Sequence, residues 1–144
     1  MRLWSKQLLP YLPRLQLVSQ WRECCCIAKN IAEKGTPNHI LVNRIMDYPI
    51  GHFWIYGAYV AKEMRSHGYK CNFDKFDQYI DTAKYWDFPN FNNLFKDWHD
   101  KRYFRQCLNN LEEKAICGGI PAEEWDVIYS KFGEQFDLWN GNEV

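Results

Sequence analysis

The first long helical segment of the sequence carries the polar residues best suited to chemistry. At 100° per residue, Glu23 points away from the apolar side of this segment, and Gln16 and Asn30, one heptad to either side, share its face. Arg22 and Lys29 lie together along one edge of the apolar side. A carboxylate can move a proton and an arginine can pair with a phosphate. Periodicity alone, however, favours a solvated surface charge at position 23.

The apolar side of the same segment predicts a core stripe that spans an arc of about 140°. Its members are Leu17, Val18, Trp21, Cys24, Cys25, Ala28, Ile31 and Ala32. Two of the six cysteines are thereby explained as small buried residues. No two cysteines form a C-x-x-C pair, and the four histidines show no metal-ligand spacing. Neither a zinc site nor a disulfide framework is indicated, and His52, His67 and His99 are predicted to be structural.

Prolines and glycines fall singly along the chain, at positions typical of helix starts and stops. Residues 1–12 are predicted to form an extended leader, followed by a helix from Pro13 to about Lys34 that ends at Gly35. Further helices are predicted over 37–47 with Thr36 as cap, 49–67, 72–84 with Asn72 as cap, 97–116 and 121–132. Strand-like alternation is nearly absent, which predicts an all-α fold of five or six helices in one domain over residues 1–144, with the leader folded back on the first helix.

The charges of the chain are unevenly distributed along its length. The formal net charge is zero, but residues 1–80 hold eleven Lys/Arg against six Asp/Glu, and residues 81–144 hold seven against twelve. A basic first half could bind phosphates while the acidic half faces away. A division of this size is equally compatible with ordinary solvated surfaces.

Four short motifs, in order over about residues 1–116, resemble the endonuclease V family of pyrimidine-dimer DNA glycosylases and abasic-site lyases. The first two are Met1-Arg2-Leu3-Trp4 with Leu12-Pro13-Arg14, and Leu17 with Trp21-Arg22-Glu23-Cys24-Cys25. The third is His39 with Val42-Asn43 and Tyr48-Pro49, leading to a helix that ends in residues 62–69. The fourth comprises His99-Asp100, Tyr103, residues 107–111 and Lys114. Residues 117–144 carry no resemblance and stay unassigned.

The resemblance implies a nucleophile at the start of the chain. In that family an α-amine attacks the anomeric carbon of the damaged nucleotide, expels the base and forms an imine with the opened sugar. The glutamate of the first helix assists, β-elimination breaks the strand, and no metal or cofactor takes part. Met1 then supplies the amine and Glu23 the carboxylate. Because Arg2 is too large to permit removal of the initiator methionine, we expect Met1 to be retained.

The geometry of the leader allows this pairing. From Pro13 to Glu23 a helix rises about 15 Å, whereas twelve extended residues reach roughly 40 Å. Leu3, Trp4, Leu8 and Leu9 give the leader enough apolar surface to pack on the body of the protein. Otherwise Met1 would be the frayed terminus that first residues commonly form.

The resemblance also suggests residues that bind DNA. Arg2 and Arg22 correspond to family arginines that would contact the phosphates flanking the lesion, and Arg14 and Lys29 would extend that surface. Cys26 stands where the family has another arginine. Gln16, His39 and Asn43 correspond to positions expected near the sugar or the phosphates, although a histidine at a helix start also commonly bonds to backbone. The aromatic residues Trp4, Trp54 and Tyr56 could stack on an extruded base, although most rings at helical spacing belong to the core.

The sequence therefore predicts a monomeric DNA glycosylase with abasic-site lyase activity on damaged double-stranded DNA. Two alternatives are a non-catalytic nucleic-acid-binding domain of the same fold and a protein-interaction domain that uses the acidic second half. Pro10 and Pro13 interrupt the early apolar residues, so no signal peptide is expected, and no apolar run approaches the length of a membrane span. We expect a cytoplasmic protein with reduced thiols, near the nucleoid of a bacterium or phage-infected cell.

Overall fold

The structure is a computed structural model that describes residues 1–81 and 87–139. Within these ranges all regular elements are helices, which confirms the all-α prediction. The α-helices are α1 (Arg14–Lys34), α2 (Gly51–Ser66), α3 (Phe73–Ile80), α4 (Lys101–Ile116) and α5 (Ala122–Trp139). Two short 3-10 helices span Lys6–Tyr11 and Asn43–Asp47. None of the described helices is long and apolar enough to cross a membrane.

The ends of most helices follow from local capping. The Gly35 N–H, in a left-handed conformation, bonds to the Ile31 carbonyl at 2.9 Å and ends α1. The Asn72 side chain accepts from the Lys75 N–H and starts α3, as expected, and Asp100 in the same way starts α4 four residues later than predicted. The last residues of the helix predicted over 72–84, residues 82–84, lie outside the described residues.

Three predicted elements differ from the structure. The leader is extended only up to Ser5, because the Leu8 N–H bonds to the Ser5 carbonyl and starts a 3-10 helix that buries both Leu8 and Leu9. The predicted helix over 37–47 is wrong over its first half, which forms a turn, and only Asn43–Asp47 is helical. Helix α5 continues to Trp139, because Phe136 is buried beyond Gly133.

One hydrophobic core holds these elements together. Helix α1 packs against α2 and α3, and α4 packs against α5. Gly57 of α2 lies directly against the Phe76 ring of α3, a position that leaves no room for a larger side chain. The leader, through Leu3, Trp4, Leu8 and Leu9, is part of the core. The first residues are thus fixed relative to α1.

Candidate active site

The N-terminus lies on the surface but at the end of a tightly bound segment. Leu3 is fully buried, and its carbonyl accepts a hydrogen bond of 2.5 Å from the Tyr103 hydroxyl of α4. Lys6 is also buried, and its ammonium donates to the carbonyls of Phe91 and Leu94 at 2.7 and 2.6 Å. Met1 is 40% exposed. Met1 thus follows directly on a segment that is fixed to the body of the protein, while the residue itself is partly open to solvent.

Gln20 connects the leader to α1 and to the carboxylate of Glu23. Its Oε1 accepts from the Trp4 N–H at 2.7 Å, and it lies 3.0 Å from the Tyr56 hydroxyl, whose one proton it shares with the Trp4 carbonyl at 2.6 Å. Its Nε2 donates to the Arg2 carbonyl at 2.9 Å and to Oε2 of Glu23 at 3.3 Å. The side chain is fully buried and its hydrogen-bonding capacity is used in full. A single amide therefore fixes the leader and Glu23 relative to each other.

The burial of Gln20 changes the face that α1 presents to the core. Besides Leu17, Trp21, Cys24 and Ala28 of the predicted stripe, Gln20 and Ile27 are buried, whereas Ala32 is exposed. The buried face is rotated by roughly 50° towards Gln20. Glu23 consequently lies at the edge of the core and is half-buried, rather than fully solvated as periodicity alone indicated.

An open cavity of about 410 Å³ brings four of the sequence-predicted residues together: Met1, Arg2, Gln16 and Glu23 line it. Oε1 of Gln16 is itself buried and accepts no hydrogen bond from the described residues. Three residues of α4, which is distant from α1 in sequence, also line the cavity: Asn110, Glu113 and Lys114.

A second open cavity of about 420 Å³ adjoins the first and shares Gln16 and Ser19 with it. Arg14 and Arg22 line this second cavity, and both are exposed. The first N–H of α1, that of Arg14, donates to Oε1 of Glu124 at 2.7 Å, so α5 closes one end of it. The two arginines are therefore placed beside the Met1–Glu23 cavity rather than in it.

The other predicted DNA-binding residues lie outside both cavities. Lys29 is exposed on α1, two turns beyond Arg22. His39 lies in the turn before the second 3-10 helix, and Asn43 is the first residue of that helix. Nδ1 of His39 accepts from the Leu41 N–H at 3.2 Å, and Oδ1 of Asn43 accepts from the His39 N–H at 2.9 Å. These bonds correspond to the backbone-bonding alternative for His39, and a DNA contact by either residue stays a prediction.

The aromatic side chains proposed for base stacking are mostly structural. Tyr56 is fully buried, and its hydroxyl donates to the Trp4 carbonyl at 2.6 Å, so it cannot reach a base. Trp54 is half-buried and donates from its indole N–H to Asp77 at 2.8 Å. Trp4 borders the first cavity with 6% of its surface exposed, and the Arg2 guanidinium lies 5.3 Å from the centre of its ring.

Buried titratable groups below the cavity are held neutral. Burial lowers the pKa of His99 to about 3, and the positive charges of Lys6 and Arg44 add to this effect. Nδ1 of His99 accepts from the Lys6 N–H at 3.0 Å, as only an unprotonated nitrogen can. Burial likewise raises the pKa of Tyr103 and of the Cys107 thiol, which lie next to Arg2. These groups support the leader and carry no charge near neutral pH.

Several cavity residues were not identified as functional from the sequence. Gln20 could have been suspected as a polar residue beside the core stripe, three positions before Glu23 and therefore adjacent to it on a helix. Asn110 and Lys114 belong to the fourth resembling motif, but only the packing of α4 shows that they border the same cavity as Met1.

Comparison with known proteins identifies a family for this chain. A family model described as pyrimidine dimer DNA glycosylase matches residues 1–77, which is more than half of the chain and includes every residue predicted to act in catalysis or DNA binding. The curated proteins and the solved structures gave no match. The chain belongs to the pyrimidine dimer DNA glycosylase family.

Proposed function

We propose that this protein is a DNA repair glycosylase with abasic-site lyase activity, which acts on pyrimidine dimers through an imine formed by the α-amine of Met1. Family membership supports the glycosylase activity and the DNA substrate. The observation that carries the finer proposal is that Met1, which is partly exposed, and Glu23, which is half-buried, line the same cavity.

The reaction assigns one role to each group. The lone pair of the amine nitrogen attacks C1′ of the damaged nucleotide, and the base leaves with the electron pair of the glycosidic bond. The C1′–O4′ bond then opens and the amine nitrogen becomes part of a C=N bond. Glu23 stabilises the cationic sugar and takes a C2′ proton, whose loss expels the 3′-phosphate.

The surrounding side chains have the chemistry to hold DNA in place for this reaction. Arg2 lines the reaction cavity, and Arg14 and Arg22 line the adjoining one, so guanidinium groups are available for phosphates on both sides of a nucleotide at Met1. Gln16 lines both cavities and is a further candidate for a DNA contact. Lys29, His39 and Asn43 remain candidates for more distant phosphate contacts.

Borohydride trapping tests the proposal directly. Protein with its native terminus is incubated with duplexes that contain a pyrimidine dimer or an abasic site, and borohydride reduces any C=N bond to a stable amine link. We expect a covalent complex with both duplexes, and none when the α-amine is acetylated. Trapping that survives acetylation would assign the nucleophile to a lysine instead.

Glu23→Gln serves as the companion variant because it removes the proton acceptor while retaining size. It should bind both duplexes as the wild type does and leave the strands uncleaved. Binding without trapping by the wild-type protein would instead favour the non-catalytic nucleic-acid-binding domain. Cleavage by Glu23→Gln at the wild-type rate would contradict the role of this carboxylate.

A further inference from the structure

Two aliphatic side chains stand out on the surface beside the proposed active site. Ile40 is 87% exposed and Leu41 is 52% exposed, although they are consecutive in a turn whose next residue, Val42, is fully buried. Exposure of adjacent large aliphatic residues contributes nothing to folding. A pair that is held away from the core therefore calls for a role in binding.

The turn that carries these side chains is held in one conformation by hydrogen bonds. The Val42 and Asn43 N–H groups both donate to the His39 carbonyl, at 3.0 and 2.8 Å. The Asn30 side chain of α1 donates to the Pro37 carbonyl at 3.1 Å. Because the backbone on either side is bonded in this way, the aliphatic tip is preorganised, and its binding costs little conformational entropy.

Arginines surround the tip. Ile40 and Leu41 line an open cavity of about 200 Å³ together with Arg2, Arg44 and Arg102, and none of the described side chains that line it is acidic. Arg102 lies on α4, outside the residues that the family model matches. An apolar point within a ring of guanidinium groups is complementary to a DNA duplex, which offers phosphates around a stack of apolar base faces.

The tip is also continuous with the reaction cavity. Arg2 lines both cavities, and it directly follows Met1. Attack at C1′ requires that a nucleotide leave its place in the duplex, which costs a few kcal/mol of unstacking. Side chains that insert between base pairs from a cavity that adjoins the reaction cavity at Arg2 would supply that distortion close to where the reaction needs it.

We infer that Ile40 and Leu41 form a wedge that inserts into the base stack of duplex DNA next to the lesion, while Arg2, Arg44 and Arg102 hold the flanking phosphates. This inference rests on the proposed function. The wedge opens the duplex and takes no part in bond making, so it is needed for duplex substrates and dispensable where the strand is already unstacked.

The test compares the wild type with the double variant Ile40→Ala/Leu41→Ala, whose exposed positions leave the core unchanged. One duplex carries a tetrahydrofuran abasic analogue, which cannot form an imine, beside 2-aminopurine, whose fluorescence rises when it unstacks. A second substrate carries a true abasic site, in duplex and in single-stranded form. Leu138→Ala, at a leucine of α5 that is 60% exposed, is the matched control.

We expect the wild type and Leu138→Ala to increase the 2-aminopurine fluorescence several-fold, and the double variant to leave it unchanged at saturating protein. Cleavage of the duplex should fall at least tenfold in the double variant, whereas cleavage of the single strand should be unaffected. A fluorescence increase and a rate of duplex cleavage equal to those of the wild type would overturn the wedge, and so would an equal loss of cleavage on the duplex and the single strand. A wild type that cleaves neither substrate would refute the proposed function instead.

Discussion

Gln20 is the residue on which the geometry of the proposed active site depends most. It donates to the Arg2 carbonyl and to Glu23, and it accepts from the Trp4 N–H and the Tyr56 hydroxyl. A catalytic amine and its carboxylate must be positioned to within a fraction of an ångström, and a misplacement of 1 Å costs on the order of 100-fold in rate. We therefore assign Gln20 as a positioning residue.

Replacing Gln20 by methionine keeps the volume and removes all four hydrogen bonds. The Trp4 N–H and the Arg2 carbonyl then lose a partner, while Tyr56 keeps the Trp4 carbonyl, so we expect a destabilisation of about 2–4 kcal/mol and a fall of about 10- to 100-fold in the trapping rate at saturating DNA. Urea unfolding and single-turnover trapping, the latter well below the melting temperature, measure the two effects separately.

Gln78→Met makes the same chemical change at an exposed position of α3 and should leave both quantities unaltered. The positioning role predicts that the dissociation constant for uncleavable DNA stays within a few-fold of the wild type. Trapping at the wild-type rate by folded Gln20→Met would show that the amide contributes to stability alone.

At the scale of elements, the sequence predicts which segments are helical better than it predicts the residues at which the helices begin and end. The Gly35 stop and the Asn72 cap are local signals, and both are confirmed. The turn at 38–42 was missed, because the Asn43 and His39 side chains satisfy the backbone there and compete with helix formation. The sequence predicts α5 too short, because Gly133 is typical of a helix end and only the structure shows that Phe136 beyond it is buried.

For the proposed active site too, the sequence predicts local features but not the contacts made by tertiary packing. The resemblance assigns roles to Met1, Arg2 and Glu23, and the reach of the leader allows the three residues to line one cavity. The wall supplied by α4 was not predictable, because Asn110 and Met1 are brought together only by tertiary packing. The rotation of α1 is not predictable for a related reason. A glutamine can be buried only where hydrogen-bond partners surround it, and the partners of Gln20 come from segments that meet it only in the folded protein.

The contact of α2 with α3 is a close approach that depends on Gly57. A Cβ at this position would overlap the Phe76 ring. Alanine gains about 1 kcal/mol in helix propensity over glycine, but overpacking a rigid ring costs about 1–3 kcal/mol. We expect the overlap to dominate, so Gly57→Ala should lower the urea midpoint of unfolding.

A second substitution distinguishes overlap from other causes. Phe76→Leu removes the ring and should restore part of the loss in the Gly57→Ala background, with a coupling free energy of at least about 0.5 kcal/mol. Additive effects of the two substitutions would show that Gly57 is not required for this contact.

For the molecule as a whole, the charge distribution is less segregated than the halves of the sequence suggest. Glu113 borders the reaction cavity, and Glu124 accepts from the Arg14 N–H beside the second cavity. The acidic half therefore does not face away from the predicted DNA surface as a unit. The arginines Arg2, Arg44 and Arg102 nevertheless form a local cationic surface, which explains how a chain of zero net charge can be suited to DNA.

The stability of the whole molecule should depend on pH through the buried histidine that supports the leader. Burial lowers the pKa of His99 from its ordinary 6.5 to about 3, and burial lowers the pKa of His52 as well. Below pH 6.5 the unfolded chain binds protons that the folded protein does not. The stabilisation is therefore complete above pH 6.5 and is lost as the pH falls towards 3, by about 1.4 kcal/mol per pH unit for His99.

Urea unfolding at pH 7 and pH 5 measures this dependence, and His99→Asn provides the reference. Oδ1 of asparagine can replace Nδ1 as acceptor for the Lys6 N–H, but it does not titrate in this range. The wild type should lose about 2 kcal/mol between the two pH values through His99, and the variant should lose correspondingly less. Equal losses in both proteins would mean that His99 takes up a proton in the folded state at pH 5. The hydrogen bond from the Lys6 N–H forbids this, so the leader would have to detach from His99 and carry Met1 away from Glu23.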